Sequence, residues 1–503
     1  MTETFTQGEY AMQYNSTRSR AFPMPAHQAV IRGLCPDGGL FVMDDPHVTI
    51  DLAALKGASY QKIAKTVIGA FFPDYDDAEL EHCVASAYDQ KFDSEEIVPL
   101  KSFQDGSIME LWHGPTSAFK DLALTILPHL LTAAYRKDGR NDTVAILTAT
   151  SGDTGKAALS GFADVEHTHI TVFYPVNGVS DIQKRQMNTS RGNNVNVVAV
   201  EGNFDDCQRM VKAACSDPQV LSACQGVTIS SANSINIGRL VPQVVYYFST
   251  YLKLVESGRI KEGEPVTFVV PTGNFGDIFA GYLAKAAGLP VARLIVASND
   301  NNVLTDFIRT GTYNRCRPFH ETISPSMDIL VSSNLERLLY FASGENCALV
   351  RDLMKQLNET GSYTVSGELL EEIQKDFCAY WADQDQCREA IRSLYEAEGI
   401  LIDPHTAVGL SALRQYRADG NTEYAVVLST ASPFKFARDV LSCISEDVPE
   451  DAFAAMKQLN RLTGLSIPKG LAELESLPVR FETVISKEDG ISYLADEMKE
   501  LSK

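Results

Sequence analysis

Residues Thr143-Val144-Ala145-Ile146-Leu147-Thr148 form a continuous apolar run that leads directly into Ala149-Thr150-Ser151-Gly152-Asp153-Thr154-Gly155. An uninterrupted run of this kind is typical of a strand that is buried on both faces of a parallel sheet. The small residues after it predict a tight loop, and the pattern of residues 156–162 predicts a helix. The stretch therefore reads as one strand–loop–helix unit of an α/β fold.

The same alternation of strand and helix extends in both directions along the chain. Further strands are predicted at residues 170–174, 195–200, 266–270, 294–297 and 424–429. Apolar strands that alternate with helices predict open, mostly parallel sheets with helices on both faces. We divide the chain into a mostly helical N-terminal region (1–100), a first α/β domain (101–245) and a second α/β domain with a helical C-terminus (246–503).

Composition and charge limit the classes of function. The 503 residues carry a net charge of −21, which argues against general binding to nucleic acid. No apolar run is long enough to span a bilayer, and residues 1–5 lack the features of a signal peptide. The ten cysteines have no Cys-x-x-Cys spacing, which predicts reduced thiols in a cytoplasmic protein and no zinc site.

The first candidate for chemistry is Lys120, in the stretch His113-Gly114-Pro115-Thr116-Ser117-Ala118-Phe119-Lys120-Asp121. This lysine follows an apolar run and lies where a helical pattern begins. Burial disfavours the charged ammonium, so a lysine among small and apolar neighbours is a better amine nucleophile than one in water. The alternative to a reactive Lys120 is a solvated surface lysine, which is the commoner situation for this residue type.

Two strand–loop–helix junctions predict anion sites. The first consists of Ser151, Gly152, Asp153, Thr154 and Gly155, where small residues and a helix N-terminus suit a carboxylate or a phosphate. The same residues also make good helix caps, so capping remains an alternative. The loop is not a P-loop, because that motif needs Gly at position 150 and Ser or Thr at position 157.

The second junction is Pro271-Thr272-Gly273-Asn274-Phe275-Gly276-Asp277. It follows a buried strand and opens a helix, which is the setting in which a glycine-rich loop cradles a phosphate. It is not the Gly-x-Gly-x-x-Gly of dinucleotide sites, so the pattern favours a single phosphate group. An ordinary tight turn is the structural alternative.

Together, a reactive lysine, a carboxylate loop and a phosphate loop indicate pyridoxal phosphate. That cofactor needs a lysine for its Schiff base, an anchor for its phosphate and a partner for its ring nitrogen. All these loops follow strands, and in an open α/β sheet they meet at the carboxyl ends of those strands. Thr430, directly after the predicted strand 424–429, is the candidate partner of the ring nitrogen.

These motifs follow one another as in threonine synthases, and the chain is similar to the branch of that family with a long N-terminal region found in bacteria and fungi. The resemblance covers residues 14 to about 440. Its motifs are Ser16–Arg18, Pro36–Leu40, His113–Asp121, Ser151–Gly155, Asn233–Asn236, Arg239–Gln243, Gly273–Asp277, Ser324–Ile329 and Asp403–Gly409. Ser432 departs from the family, where His is frequent, and this leaves Thr430 as the ring-nitrogen candidate.

The resemblance implies fold type II of the pyridoxal-phosphate enzymes, similar to the tryptophan synthase β subunit. It implies a lyase that expels phosphate from O-phospho-L-homoserine and adds water to give L-threonine, the last step of threonine biosynthesis. Lys120 would be catalytic and would hold the cofactor. The cofactor phosphate would lie on Gly273, Asn274, Phe275, Gly276 and Asp277, and the substrate carboxylate on Ser151, Gly152, Asp153, Thr154 and Gly155.

The phosphate of the substrate needs cationic or hydroxyl contacts. The favoured candidates are Arg18, Ser326, Asn334 and Arg337. Lys156, Asn188 and Arg239 are among the others, and Asp328 is expected to organise hydrogen bonds, since a carboxylate repels phosphate. Each of these residues could equally serve in a surface or structural contact.

Three other functions remain open from the sequence. A serine or threonine dehydratase shares the fold and the cofactor, a threonine-synthase-like lyase would release 2-oxobutyrate, and a binding protein could use the scaffold without catalysis. No metal, membrane or nucleic-acid partner is expected, and the chain is expected to be a monomer or a homodimer.

Overall fold

Two parallel sheets form the framework of the chain. The computed structural model describes residues 12–150, 152–177, 179–215 and 217–503. The strands are β1 (Tyr14–Ser16), β2 (Phe41–Met43), β3 (Leu100–Phe103), β4 (Gly106–Glu110), β5 (Thr143–Ala149), β6 (Thr168–Pro175), β7 (Val195–Glu201), β8 (Val227–Ser230), β9 (Val266–Pro271), β10 (Val291–Ser298), β11 (Thr312–Asn314), β12 (Ser362–Thr364), β13 (Phe377–Trp381), β14 (Ala425–Ser429) and β15 (Val484–Ser486).

Helices cover the sheets, and along the chain they connect one strand to the next. They are α1 (Ala26–Arg32), α2 (Tyr60–Phe71), α3 (Asp77–Ala87), α4 (Asp121–Leu124), α5 (Leu127–Lys137), α6 (Asp153–Phe162), α7 (Asp181–Asn188), α8 (Phe204–Ala214), α9 (Pro218–Ala223), α10 (Ile237–Leu240), α11 (Val244–Glu256), α12 (Gly276–Ala286), α13 (Val303–Thr310), α14 (Leu335–Ala342), α15 (Cys347–Thr360), α16 (Gly367–Asp376), α17 (Gln384–Glu398), α18 (Pro404–Ala418), α19 (Ala437–Ile444), α20 (Ala452–Thr463), α21 (Lys469–Ala472) and α22 (Gly490–Leu501).

The parallel architecture predicted from the apolar runs is confirmed. One sheet has the order β15-β7-β6-β5-β8, and all its pairs are parallel. The larger sheet has the order β13-β10-β9-β14-β4-β3 and is parallel except for the β3–β4 pair. All five residues of the central strand β14 are buried, as expected of a strand covered on both faces.

Two segments pair with the sheet of the domain to which the sequence analysis did not assign them. The division by sequence placed residues 101–245 in the first α/β domain, but β4 (Gly106–Glu110) pairs in parallel with β14 of the second. The C-terminal stretch was predicted to be helical, but within it β15 adds to β7 of the other sheet. Sheet membership follows side-chain packing and not proximity in sequence, so a boundary at residue 101 or 246 cannot be read from periodicity. The division itself stays a prediction.

The N-terminal region is mainly helical, as predicted, with a small two-stranded sheet. β1 pairs antiparallel with β2, which follows the Pro36–Gly39 turn. The buried Tyr14 hydroxyl donates a 2.8 Å hydrogen bond to the Phe71 carbonyl at the end of α2. Elsewhere, β13, the edge strand of the larger sheet, is not among the strands predicted from the sequence. No helix within the described ranges is long and apolar enough to cross a membrane.

A close helix contact supports the segment that carries Lys120. Gly161 in α6 lies so near the end of α4 that a Cβ there would overlap the Leu124 carbonyl oxygen. We predict that Gly161→Ala lowers the free energy of unfolding by about 1–3 kcal/mol, because backbone must move to admit the methyl group. Urea unfolding followed by circular dichroism measures the change.

Gly367, the first residue of α16, provides the matched control. A Cβ at this position would meet no atom within 4 Å. Gly367→Ala should therefore leave stability within about 0.5 kcal/mol of the parent chain. Equal effects of the two substitutions would contradict the packing argument.

Candidate active site

Three neighbouring strands of the larger sheet bring the main candidates together. β9, β14 and β4 lie side by side and run in the same direction. Their carboxyl ends lead into the loop 271–277, into Thr430 and into the segment that ends at Lys120. These candidates were predicted from separate parts of the chain, and the sheet order places them at one edge.

Backbone hydrogen bonds attach the Lys120 segment to the exit of β14. The Phe119 amide donates to the Thr430 carbonyl at 2.8 Å, and the Ser432 amide donates to the Ser117 carbonyl at 3.1 Å. Thr430 is buried, and no described residue forms a hydrogen bond with its hydroxyl. Its position beside the lysine segment fits the predicted role at a ring nitrogen, which stays a prediction.

Asp121 fixes the turn before Lys120. Its buried carboxylate accepts the Thr116 amide at 2.8 Å and the Thr116 hydroxyl at 2.7 Å. Burial raises the pKa of Asp121 to about 6, although these hydrogen bonds oppose the rise. Asp121 therefore shapes the turn 114–121 and leaves Lys120 unpaired.

The surroundings of the Lys120 amine favour its uncharged form. Burial lowers its pKa to about 8, with Asp153 opposing this shift and Arg239 and Lys435 adding to it. None of the described residues accepts a hydrogen bond from its Nζ atom, which lies 5.4 Å from the centre of the Phe119 ring. A lowered pKa increases the fraction of uncharged amine, which is the form that attacks a carbonyl group.

The loop 271–277, which we call the cradle, has a local geometry that would suit the predicted phosphate. A Cβ at Gly273 would approach the Ser326 carbonyl oxygen to 2.9 Å, so only glycine fits without movement. Phe275 has a left-handed backbone (φ +62°), and its side chain is buried against Phe377. The first turn of α12 leaves backbone N–H groups without intrahelical acceptors, which suits an anion.

Two predicted substrate contacts instead support this loop. The Asn334 side chain donates to the Asn274 carbonyl at 2.9 Å and accepts from the Arg337 guanidinium. Arg337 is fully buried and also donates to the carbonyls of Phe41 (3.0 Å) and Ile235 (2.6 Å). The two side chains fill these positions with protein partners, so they orient the loop from behind.

The Asp277 side chain points away from the cradle. Its carboxyl group is buried and accepts hydrogen bonds from the hydroxyls of Tyr246 and Tyr247 in α11. Burial raises its pKa to about 7, partly offset by the two tyrosines. Asp277 therefore contributes its backbone to the loop, while its side chain joins the loop to α11.

Two backbone amides of the predicted carboxylate loop are already engaged in local hydrogen bonds. The Thr150 hydroxyl accepts the amides of Gly152 and Gly155, both at 2.9 Å. Ser151 lies outside the described residues. The Thr154 hydroxyl forms no hydrogen bond with a described residue, and it is the side chain of this loop that remains open to a ligand.

Asp153 is held in a buried ion pair that the sequence analysis missed. The Lys435 ammonium lies 2.6 Å from the Asp153 carboxylate and 3.2 Å from the Thr116 carbonyl. Gln183 donates to the same carboxylate at 2.9 Å. Burial opposes the charge on Asp153, yet Lys435 and Lys120 hold its pKa well below the usual range. The signal in sequence was Lys435 itself, between Phe434 and Phe436 after a buried strand.

A second missed cluster fixes Ser326. The Ser326 amide donates to His405 Nε2 at 3.1 Å, and His405 Nδ1 contacts Asp403 at 2.7 Å. Because Nε2 accepts this hydrogen bond, Nδ1 is the ring nitrogen that donates to Asp403. The Ser326 hydroxyl lies 3.4 Å from Asp153, so this predicted substrate contact does face the group around Lys120.

Arg18 is engaged elsewhere. Its guanidinium forms a bidentate pair with Glu336, with both N–O distances at 2.8 Å. Asp328 accepts hydrogen bonds from Asn299, Asn301 and Thr322, which agrees with its predicted role as an organiser. The structure therefore does not bring a free Arg18 guanidinium to the group around Lys120.

Basic side chains outnumber acidic ones around Lys120. Lys156 has Ser190 as its hydrogen-bond partner among the described residues, and burial lowers its pKa to about 8. Arg239 is also buried, and its Nε–H has no acceptor among the described atoms. With Lys120 and Lys435, these residues give a surplus of positive charge over Asp121 and Asp153.

Family models match most of the chain. The model described as pyridoxal-phosphate dependent enzyme matches residues 108–432. Models for the threonine synthase N terminus and the threonine synthase C-terminal region match residues 13–88 and 406–493. The first match includes Lys120, both predicted anion loops and Thr430.

Individual proteins show the same relationship. Threonine synthase from Pseudomonas aeruginosa is 40% identical over 433 residues, which are 85% of this chain and 90% of that protein. Threonine synthase-like 1 from Homo sapiens is 40% identical over 83% of this chain, which spans 58% of that longer protein. The crystal structure of threonine synthase from Brucella melitensis with bound pyridoxal phosphate has a TM-score of 0.87 at 36% identity, covering 98% of this chain and all of that one.

The lowered pKa of Lys120 leads to a prediction about pH. At pH 7 about one Lys120 side chain in ten is unprotonated, against about one in 2,500 for an ordinary lysine. Attachment of pyridoxal phosphate to Lys120 should therefore accelerate up to pH 8 and level off above it. Borohydride trapping and peptide mass spectrometry at each pH measure the rate, and acceleration that continues beyond pH 10 would contradict the prediction.

The support from Asn334 leads to a prediction about affinity. Asn334→Ala removes the side-chain donor to the Asn274 carbonyl, which keeps the Asn334 amide at 3.1 Å, and it leaves Arg337 with one acceptor fewer. We expect the Kd for pyridoxal phosphate to rise about tenfold, as for the loss of one hydrogen bond. Fluorescence titration of the cofactor-free chain measures it. Asn358→Ala, in the exposed part of α15, is the control and should leave the Kd unchanged.

Proposed function

The chain belongs to the threonine synthase family, and from this premise we propose that it converts O-phospho-L-homoserine and water into L-threonine and phosphate. It is a pyridoxal-phosphate-dependent lyase that acts on a small molecule. One observation carries the assignment of its site: β4, β14 and β9 present Lys120, Thr430 and the cradle 273–277 at adjacent strand ends.

The residues at this edge fit the cofactor. The cradle has no room for a side chain at Gly273. The orientation of its peptide groups determines where its N–H donors point. The carbonyls of Gly273 and Asn274 are held by Ser332 (2.8 Å) and Asn334 (2.9 Å). Because N–H and C=O point in opposite directions in a trans peptide, the amides of Asn274 and Phe275 face the other side. These amides would hold the phosphate, Lys120 the aldehyde carbon and Thr430 the ring nitrogen.

When bound, the cofactor supplies an electron sink for negative charge at the substrate Cα. The residues of the chain supply the rest. In its unattached form, Lys120 is a neutral amine that can remove a proton from Cα and from Cβ of the substrate and return one later. The Lys120 pKa of about 8 makes both directions of proton transfer accessible near neutral pH.

The cations near Lys120 support a phosphorylated substrate. Arg18, Asn334 and Arg337 have protein partners, whereas Lys156 has ammonium donors that no described residue accepts, beyond the bond to Ser190. We assign the phosphate of the substrate to Lys156 with the Ser326 hydroxyl, and its carboxylate to Thr154 and the surrounding amides. A local surplus of positive charge attracts a dianion despite the net charge of −21.

The reaction is tested by the products. Purified protein with O-phospho-L-homoserine should release phosphate and L-threonine in equal amounts, and Lys120→Ala should release neither. Phosphate assay and amino-acid chromatography measure the two products. Phosphate with 2-oxobutyrate would replace the proposal by the lyase alternative, and deamination of L-serine or L-threonine would support the dehydratase.

The phosphate assignment is tested by Lys156→Met. Loss of a charge-assisted hydrogen bond raises the activation free energy by about 1.5–3 kcal/mol, so kcat/KM should fall roughly 10- to 150-fold. Lys184→Met removes an exposed lysine from α7 and is the matched control, with unchanged kinetics. Equal kcat/KM for the parent and Lys156→Met would remove Lys156 from the phosphate site.

We also propose a cytoplasmic location. The ten cysteines of the chain are all unpaired in the structure, which supports a reducing compartment.

A further inference from the structure

Lys435 joins three parts of the site that are distant in sequence. It follows β14, its ammonium contacts Asp153 at the start of α6, and it also donates to the Thr116 carbonyl in the Lys120 segment. Both Lys435 and Asp153 are buried, with side-chain exposures of 0% and 4%. A buried ion pair between two sheets is costly to desolvate, so its presence calls for a purpose beyond stability.

Asp153 has two basic neighbours that compete for it. Lys435 is in direct contact at 2.6 Å, and the same ammonium lies 3.2 Å from the Thr116 carbonyl, so Asp153 is held against the segment that carries Lys120. The charge of Lys120 also lowers the pKa of Asp153. An aspartate that paired with Lys120 would stabilise the ammonium form and suppress attack on an aldehyde. The partner that Asp153 takes therefore influences the charge state of Lys120.

We propose that Lys435 is a positioning residue that occupies Asp153 and thereby keeps Lys120 free as a reactive amine. Gln183 assists by donating a second hydrogen bond to the same carboxylate at 2.9 Å. The inference rests on the proposed attachment of the cofactor to Lys120, and it does not depend on the identity of the substrate.

The charges around Lys120 agree with this role. Burial is the main cause of its lowered pKa, Asp153 and Asp121 raise the pKa, and Arg239 and Lys435 lower it. Lys156 lies in the same group and is influenced by Asp121, Lys435 and Arg191. Removing Lys435 takes away one repulsive charge and releases the strongest attractive one, so both changes favour the ammonium of Lys120.

The test measures attachment of pyridoxal phosphate to the full-length, cofactor-free chain as a function of pH, with borohydride trapping. In Lys435→Met the midpoint of the profile should move up by at least one pH unit, and attachment at pH 7 should slow about tenfold. Lys435→Arg keeps the charge and should stay within threefold of the parent. Circular dichroism and thermal unfolding establish that each variant is folded.

The double variant separates this role from a structural one. Asp153→Asn removes the competing charge, so the double variant Lys435→Met with Asp153→Asn should return to a midpoint near that of the parent chain. A folded Lys435→Met with an unchanged midpoint, or a double variant that keeps the raised midpoint, would overturn the proposal. Failure of the substrate assay alone would leave this result intact, because no substrate is used. Loss of attachment in Lys120→Ala verifies the assay itself.

Discussion

The parallel pairing of β14 with β4 on one side and β9 on the other is the constraint on which the site depends. Because the three strands run in the same direction, their carboxyl ends reach one edge of the sheet. Lys120 and Thr430 lie 310 residues apart in sequence, with the phosphate cradle 273–277 about midway between them, and this pairing makes the three neighbours. A shift of β4 to the other sheet would separate Lys120 from the cradle.

Burial then determines the chemistry at that edge. Taking Lys120 out of water weakens its ammonium, whereas the same burial would suppress ionisation of Asp153 if Lys435 were absent. Asp153 stays charged because it is paired with Lys435. Lys120 has no such partner, which favours its uncharged form.

Several residues act through the backbone that they hold. Asn334 fixes the carbonyl of Asn274, Arg337 holds the Asn334 side chain, and His405 holds the amide of Ser326. These side chains are polar and buried, which from sequence alone resembles a ligand-binding set. Their hydrogen bonds with protein groups show that they build the walls of the site, which is why an arginine in a motif is weak evidence for contact with phosphate.

The sequence by itself determined the parallel α/β architecture, the family and the cofactor, because apolar runs and small-residue loops are local patterns. It also predicted Lys120 as the residue that carries the cofactor. It did not determine that β4 and β15 exchange between the sheets, since strand partners are chosen by packing between distant segments. Nor did it decide which cations are free: Arg18 and Lys156 look alike in sequence, but Glu336 neutralises the first and no carboxylate contacts the second among the described residues. Pairing of charges is a property of three-dimensional proximity, and only the tertiary structure could supply it.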